Sequence, residues 1–243
     1  MQTVLKLTNL VKEFGTLAAV NGVSLDVKEG ELFALIGPNG SGKTTIIKTI
    51  VGLLKATSGS VQVGGFDVAA SPTKTKSQIG YIPDEPKVWN RLTGEEFLNL
   101  VGVFFGMNVK QRKQKIQELL KIYDLEGVQK GFFENYSRGN KQKFSILASL
   151  MHDPKLLVID EPIVGLDPKS TSITKKKLQS YVKNKGTVFL ATHILDIAQD
   201  IATRIGVLDK GKLIAVGTLA ELRKKAKLSD NSSLEDIYLS LTK

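Results

Sequence analysis

The chain has 243 residues, with 34 Lys and Arg against 24 Asp and Glu, a formal net charge of +10, two His and no Cys. The lack of cysteine excludes disulfide frameworks, thiolate zinc sites and catalytic thiols, and two well-separated histidines exclude a His-rich metal cluster. With 42% hydrophobic residues and only 7 Pro, the composition is that of a folded soluble protein, and the length suits one large α/β domain or one domain with a subdomain.

The first ten residues lack a basic segment followed by an apolar core, so no signal peptide is read there and the chain is expected to stay inside the cell. Strand-length apolar runs then recur at 31–36, 79–82, 156–159, 188–191 and 205–208, separated by helical patterns, which predicts a mostly parallel sheet covered by helices. A helix is predicted over 45–54. The stretch 86–150 reads as helices without intervening strands. Thr93 and Glu96 have capping-box spacing ahead of a stripe of Phe97, Leu100, Val101 and Phe104. Ile116, Leu119, Leu120 and Tyr123 repeat the pattern, and Phe144, Leu147 and Met151 mark a third helix over 141–151. At the end of the chain Ser232 and Glu235 are predicted to cap a helix with a stripe of Leu234, Ile237, Tyr238 and Leu241, packed back on its own domain. No run approaches the ~18 apolar residues that span a bilayer; the greasiest, 101–105, is broken by Gly102. The surplus charge would attract phosphates, nucleic acid or an anionic leaflet, but the basic runs at 110–115, 175–177 and 223–227 read as solvated helix faces.

Between the first buried strand and the helix after it stand Gly37, Pro38, Asn39, Gly40, Ser41, Gly42, Lys43 and Thr44, then Thr45. The first eight match the pattern G-x-x-x-x-G-K-[ST]. Glycines let successive backbone N–H groups curl round a polyphosphate, and the following helix turns its positive end to the same anion. Lys43 is the candidate for the β- and γ-phosphates and the Thr44 hydroxyl for Mg2+. A second site is the apolar run ending in Asp160 and Glu161. Alternate residues of a strand point to opposite faces, so one carboxylate can turn to a metal and the other to an attacking water. These two motifs leave kinases, GTPases and ATPases open. Asn140-Lys141 and Asn184-Lys185 both lack the following Asp of a guanine-reading motif.

The segment Tyr136, Ser137, Arg138, Gly139 and Asn140, upstream of the Asp-Glu strand, resembles the signature motif of ABC-type ATPases. Other landmarks of that family follow in order: Phe14 before Gly15 resembles the aromatic that stacks on adenine, 80–84 the Q-loop, 165–167 with Asp167 the D-loop, and 191–193 the switch histidine, His193. The resemblance runs from about residue 4 to the end of the chain. The wording at 136–143 and at 84–86 is most similar to the bacterial ABC-2 exporter branch, in particular Ecs-type ATPase subunits. It implies a P-loop NTPase (RecA-like) α/β core from 1–85 and 151–243 with an N-terminal antiparallel β portion, and an inserted helical subdomain at 86–150. It also implies ATP and Mg2+ as ligands, with Lys43 and Ser137 on the γ-phosphate, Thr44 and Asp160 on the metal, Glu161 polarising water and His193 sensing the γ-phosphate.

Two positions depart from the pattern. Asp84 stands where most relatives carry Gln; one unit charge at ~4 Å in an effective dielectric of about 20 is worth ~4 kcal/mol, so the carboxylate either ligates Mg2+ or turns away, and the first is preferred. Arg138 and Asn140 replace commoner Gly and Gln, while Ser137 and Gly139 are kept. The resemblance further implies a homodimer or heterodimer of ATPase subunits closing head to tail on ATP, and a polytopic membrane permease that holds the chain on the cytoplasmic face of the membrane. The permease contact is expected in the groove near 84–105, where Val88 and Trp89 are equally candidates for internal packing. No nucleic-acid partner is expected. Two other readings compete: a soluble ABC ATPase acting on nucleic acid or ribosomes, and a degenerate nucleotide-sensing regulator.

Overall fold

A computed structural model describes residues 2–161 and 165–242. In chain order the elements are β1 (Thr3–Phe14), β2 (Leu17–Lys28), β3 (Leu32–Ile36), α1 (Lys43–Ile50), β4 (Ser58–Val63), β5 (Phe66–Asp67), α2 (Pro72–Lys76) and β6 (Ile79–Ile82). Then come α3 (Gly94–Phe104), α4 (Val109–Leu120), α5 (Arg138–Ser149), β7 (Leu156–Asp160), α6 (Pro168–Lys183), β8 (Thr187–Thr192), α7 (Leu195–Ile201), β9 (Arg204–Asp209), β10 (Lys212–Gly217), α8 (Leu219–Lys225) and α9 (Leu234–Leu241).

The main sheet has the order β10-β9-β3-β8-β7-β6 and is parallel except for the β9–β10 hairpin. Every residue of β3, β7 and β8 is buried, as expected of parallel strands covered on both faces. The register brings their carboxyl ends level: Ile36 pairs with Thr192 and Asp160 with Ala191. A smaller antiparallel sheet, β2-β1-β4-β5, packs over α1 through Leu5, Val20, Val27 and Ile47.

The helical stretch is built from α3, α4 and α5 joined by short 3-10 turns. Its core is continuous with one face of the main sheet, since Phe97, Leu119, Phe133 and Phe144 share a cluster with Ile82, Leu157 and Ile159. Phe133 stands edge-on to both Phe97 and Phe144. The predicted Thr93–Glu96 capping box is present.

Several expected details are corrected. On α3 the buried residues are Gly94, Phe97, Leu98 and Gly102, while Phe104 projects into solvent. Gly94 and Gly102 are what turn this face inward, because a Cβ on Gly94 would strike the Phe144 ring and one on Gly102 the stem of Arg112. Helix α1 begins at Lys43 and ends at Ile50, where Gly52 takes a left-handed backbone (φ 71°) and Leu53 N–H returns to the Lys48 carbonyl at 2.8 Å. Helix α5 starts three residues earlier than predicted because Ser137 caps it. The box on α9 is formed by Ser233 and Asp236 rather than Ser232 and Glu235, which places Leu234 and Ile237 in the core beside α7.

Replacing Phe144 by Ala removes the ring that Phe133 and Tyr136 pack against. Such a truncation is expected to cost about 3–5 kcal/mol. A urea titration followed by circular dichroism measures it as a lowered midpoint.

Candidate functional site

The three loops that leave β3, β7 and β8 converge where the strand ends are level. Between β3 and α1 the chain makes two left-handed turns, at Gly40 (φ 81°) and Gly42 (φ 107°). Neither position of close approach tolerates a side chain: a Cβ on Gly42 would strike the Ala19 carbonyl of β2, and one on Gly37 the Leu208 carbonyl of β9. No side chain caps α1 and no acidic residue occupies its first turn, so its leading N–H groups and dipole face the loop's interior. Lys43 is buried and donates to the carbonyls of Gly37 at 2.7 Å and Pro38 at 2.9 Å, which draws the loop around its ammonium. Burial lowers the Lys43 pKa, opposed by the charges of Glu161 and Asp160.

This loop, Asp84, Asp160, Glu161 and His193 line one cavity of about 260 Å³. Asp160 is buried at the end of β7, and its carboxyl is pushed up to about 6, first by burial and then by the charges of Asp84 and Glu161, against a hydrogen bond from Thr44 and the charge of Lys43. Its Oδ2 is buried without a hydrogen-bond partner. A buried carboxylate oxygen left over beside a threonine hydroxyl is the donor set of a small hard cation. The free Asp160 oxygen and the Thr44 hydroxyl fit Mg2+. Thr44 and Asp160 are the residues that would hold it. Asp84 reaches the same cavity, with its Oδ1 accepting from the Glu85 N–H at 2.8 Å.

Glu161 leaves the strand with a left-handed backbone (φ 49°), which costs a residue with a Cβ roughly 1–2 kcal/mol. That turn swings the carboxylate toward β8. Its Oε2 accepts from the Thr192 hydroxyl at 2.9 Å, and its Oε1 lies 2.8 Å from the donating His193 N–H and 2.7 Å from His193 Nδ1. A carboxylate has about four lone-pair sites, so one acceptor position on Oε2 remains for a water. The pair also fixes the imidazole so that Nε2 is its free nitrogen. The sequence supplied Glu161 and His193 as separate candidates; their union, and the part of Thr192, come only from the paired strand ends.

The remaining candidates lie elsewhere. Residues Tyr136 to Asn140 do not line this cavity. Ser137 Oγ caps α5 by accepting from Asn140 N–H at 3.2 Å, which makes Arg138, Gly139 and Asn140 the first turn of that helix, with Ser137 and Arg138 exposed and the other two half-buried. The Tyr136 ring is committed to packing on Phe133 and Phe144, and its hydroxyl donates to the Val128 carbonyl. Gly139 lies against the Gly165 carbonyl and Arg138 covers Gly165. Asp167 caps α6 through Ser170 and pairs with Lys143 of α5 at 3.3 Å; the Ser170 hydrogen bonds and then Lys143 hold its carboxyl well below the usual range. The turns at 137–140 and 165–167 thus form one exposed unit, and Lys143, unremarked among the sequence candidates, ties it together. Phe14 stands half-exposed at the end of β1, with the Lys12 ammonium 5.0 Å from its ring, outside the cavity.

A glycine-rich phosphate loop between a buried parallel strand and an uncapped helix, facing a buried aspartate and a Glu–His pair across level strand ends, defines a P-loop NTPase. The family model for the ABC transporter matches residues 20–164, and the chain belongs to that family. It is 33% identical over 241 residues to the ABC-type transporter ATP-binding protein EcsA of Bacillus subtilis (strain 168), covering 99% of this chain and 97% of that protein. The linearmycin resistance ATP-binding protein LnrL of the same organism is 36% identical over 219 residues, 90% of this chain and 70% of the relative. A solved ATP-binding subunit of an ABC transporter superposes with a TM-score of 0.94 at 32% identity, covering 99% of this chain and 100% of that one. A dimeric post-hydrolysis structure of the ATP-binding cassette MJ0796 bound to ADP and Pi superposes at 0.82 with 28% identity, covering 88% and 98%.

The Asp160 pKa has a consequence for stability. The folded pKa of about 6 exceeds the ordinary 3.8, so the folded chain holds this proton more tightly than the unfolded chain. The associated stability is complete below about pH 4 and is lost as pH rises through about 6. Without nucleotide, Asp160→Asn is therefore expected to stabilise the fold above pH ~7 by about 2–3 kcal/mol, the gain vanishing toward pH ~4. Thermal unfolding across that range measures it.

Proposed function

We propose that the chain is the ATP-binding and Mg2+-dependent ATP-hydrolysing motor subunit of a bacterial exporter, working as a dimer beneath a separate polytopic permease on the cytoplasmic face of the membrane. The observation that carries this reading is the division of the site. The phosphate loop, Asp160 and the Glu161–His193 pair share a cavity, whereas Ser137 and Gly139 stand on a different exposed turn. One chain therefore offers two half-sites that do not meet on one nucleotide. Two chains facing head to tail bring the Ser137 turn of each to the phosphate loop of the other, so the γ-phosphate becomes the bridge and its release the signal to part.

In this arrangement the α1 N–H groups and Lys43 hold the triphosphate, and Phe14 is positioned at the β1 end for the base. Mg2+, when bound, neutralises phosphate charge as a Lewis acid. Glu161, held by the Thr192 hydroxyl, accepts a proton from the attacking water on its remaining Oε2 position, and His193, held by Glu161, presents Nε2 to the γ-phosphate. The pairing of Asp167 with Lys143 keeps the signature turn and the 165–167 turn moving together.

The permease contact is placed in an apolar groove of about 370 Å³ between the core and the helical stretch, lined by Leu53, Tyr81, Pro83, Phe97, Val101 and Phe105 among others. Movement of the loop after β6 changes its wall directly, since Tyr81 and Pro83 adjoin Asp84. Of the two residues considered for this contact, Val88 packs against the subdomain core, whereas Trp89 is exposed and stands edge-on to Phe97 at the rim.

Glu161→Gln is expected to lower hydrolysis by roughly 10²–10⁴-fold while ATP binding persists. Size-exclusion chromatography with ATP should then show an accumulated dimer; rapid turnover in the variant would move the base elsewhere. Asp84→Asn is expected to weaken turnover and raise the Mg2+ concentration that half-saturates it. A Mg2+ titration that matches the native chain would assign Asp84 to partner sensing.

A further inference from the structure

The tip of the α3–α4 hairpin is exposed, apolar and basic, and the ATPase site uses none of it. Val103, Phe104 and Val109 are 52%, 72% and 58% exposed. A surface of this kind arises in a poorly formed loop without consequence, but this tip is tightly built. Arg112 Nη1 donates to the Met107 carbonyl at 2.6 Å, Arg112 Nε donates to Asn99 Oδ1 at 3.3 Å, and Asn108 with Gln111 forms a full capping box on α4. The Phe105 ring is stacked on His152 at 3.5 Å between centroids. Phe104 is thus held outward by a rigid turn.

The charge within the hairpin's own sequence has one sign. From residue 98 to 117 there is no Asp or Glu, and four basic residues fall in that span. Arg112 is spent on closing the loop, and Lys115 is paired with Asp153 at 2.5 Å. Lys110 and Lys113 are exposed, one helical turn apart, and among the described residues no ion pair engages either. Val109 sits on the same turn as both. A convex turn carrying an aromatic ring and two valines beside two unpaired ammonium groups has the chemistry of an interfacial lipid contact: rings enter the headgroup boundary while lysines meet phosphates. The concavity beside it, lined by Phe105, Met107, Gln111, Lys115, Glu118 and Asp153 among others, carries both signs of charge and includes none of Val103, Phe104, Val109, Lys110 and Lys113. The adjoining groove, which shares Phe105, is where the permease is proposed to dock, so the tip lies beside that groove.

We propose that this hairpin tip is a bilayer-contact site for anionic phospholipid, with Phe104, Val103 and Val109 entering the interface and Lys110 and Lys113 on the headgroup phosphates. It orients the subunit on the leaflet in addition to any grip by the permease, and none of its residues belongs to the nucleotide site.

Cosedimentation of the nucleotide-free protein with vesicles tests it, using phosphatidylcholine alone or mixed with phosphatidylglycerol. The native chain is expected to bind the mixed vesicles and not the neutral ones. Phe104→Ser, and Lys110→Glu with Lys113→Glu, should each bind about tenfold more weakly, with unchanged helix content and ATPase rate. In a Trp89→Phe background, Phe104→Trp should shift its emission to the blue on the mixed vesicles and be quenched by brominated acyl chains. Equal binding to neutral vesicles, no binding of the native chain, or native-like binding by the variants overturns the proposal. So does a result in which the variants keep vesicle binding but fail to assemble with a membrane partner, which would make the tip a protein contact. Because no nucleotide is present, failure here leaves the ATPase reading intact, and loss of ATPase function leaves this reading intact.

Discussion

The close approach of Gly42 to the Ala19 carbonyl is the constraint on which the site rests. A backbone pressed that tightly against β2 fixes the loop ahead of α1, and among the described residues no side chain caps the first N–H groups of that helix. Polar groups of that kind need a partner, and an oxyanion with several oxygens satisfies them together. Lys43 adds a charge from below, and its hydrogen bonds to Gly37 and Pro38 keep the loop curled around it. The smaller sheet has a functional task for this reason, since β2 supplies the wall that the glycine touches.

Around that anion hole the protein collects negative charge at a thermodynamic cost. Asp160 is buried with an unpartnered oxygen beside Asp84 and Glu161. Such a cluster weakens the empty fold and would be relieved by a cation, which would link metal binding to stability. Glu161 adds backbone strain in order to reach Thr192 and His193. These costs sit at the carboxyl ends of three adjacent strands, whose wholly buried interiors can bear them. The outer turn with Ser137, Gly139 and Asp167 is held by ordinary means, a helix cap and an ion pair.

The helical stretch carries the Ser137 turn and adds a surface of its own. Glycines at 94 and 102 let α3 lie close to Phe144 and Arg112 while Phe97 and Leu98 stay in the core, and Val103 and Phe104 in its last turn project outward. The groove runs beside Phe97, and the hairpin tip carries Phe104.

Much of the machinery was legible in the amino-acid order because it is local. Gly37 to Thr44 needs only its own glycines and the flanking apolar runs to be read as a phosphate loop, and Asp160 with Glu161 needs only the strand before it. The buried strands of the main sheet were visible because continuous apolar runs have one use in a parallel sheet, while β1, β2 and β4 mix polar and apolar residues on a half-solvated surface and were expected only through family resemblance, as an N-terminal antiparallel portion; β10, mixed in the same way, was not read at all. The stripe on α3 and the cap on α9 were misplaced because spacing is equally satisfied by neighbouring registers; packing against Phe144 and α7 chose between them. Only the folded chain could join Glu161 to Thr192 and His193, set Lys143 on Asp167, or hold Ser137 apart from Lys43. Those relations depend on strand register and on contacts between residues distant in sequence, and no local pattern of residues encodes a distance of that sort.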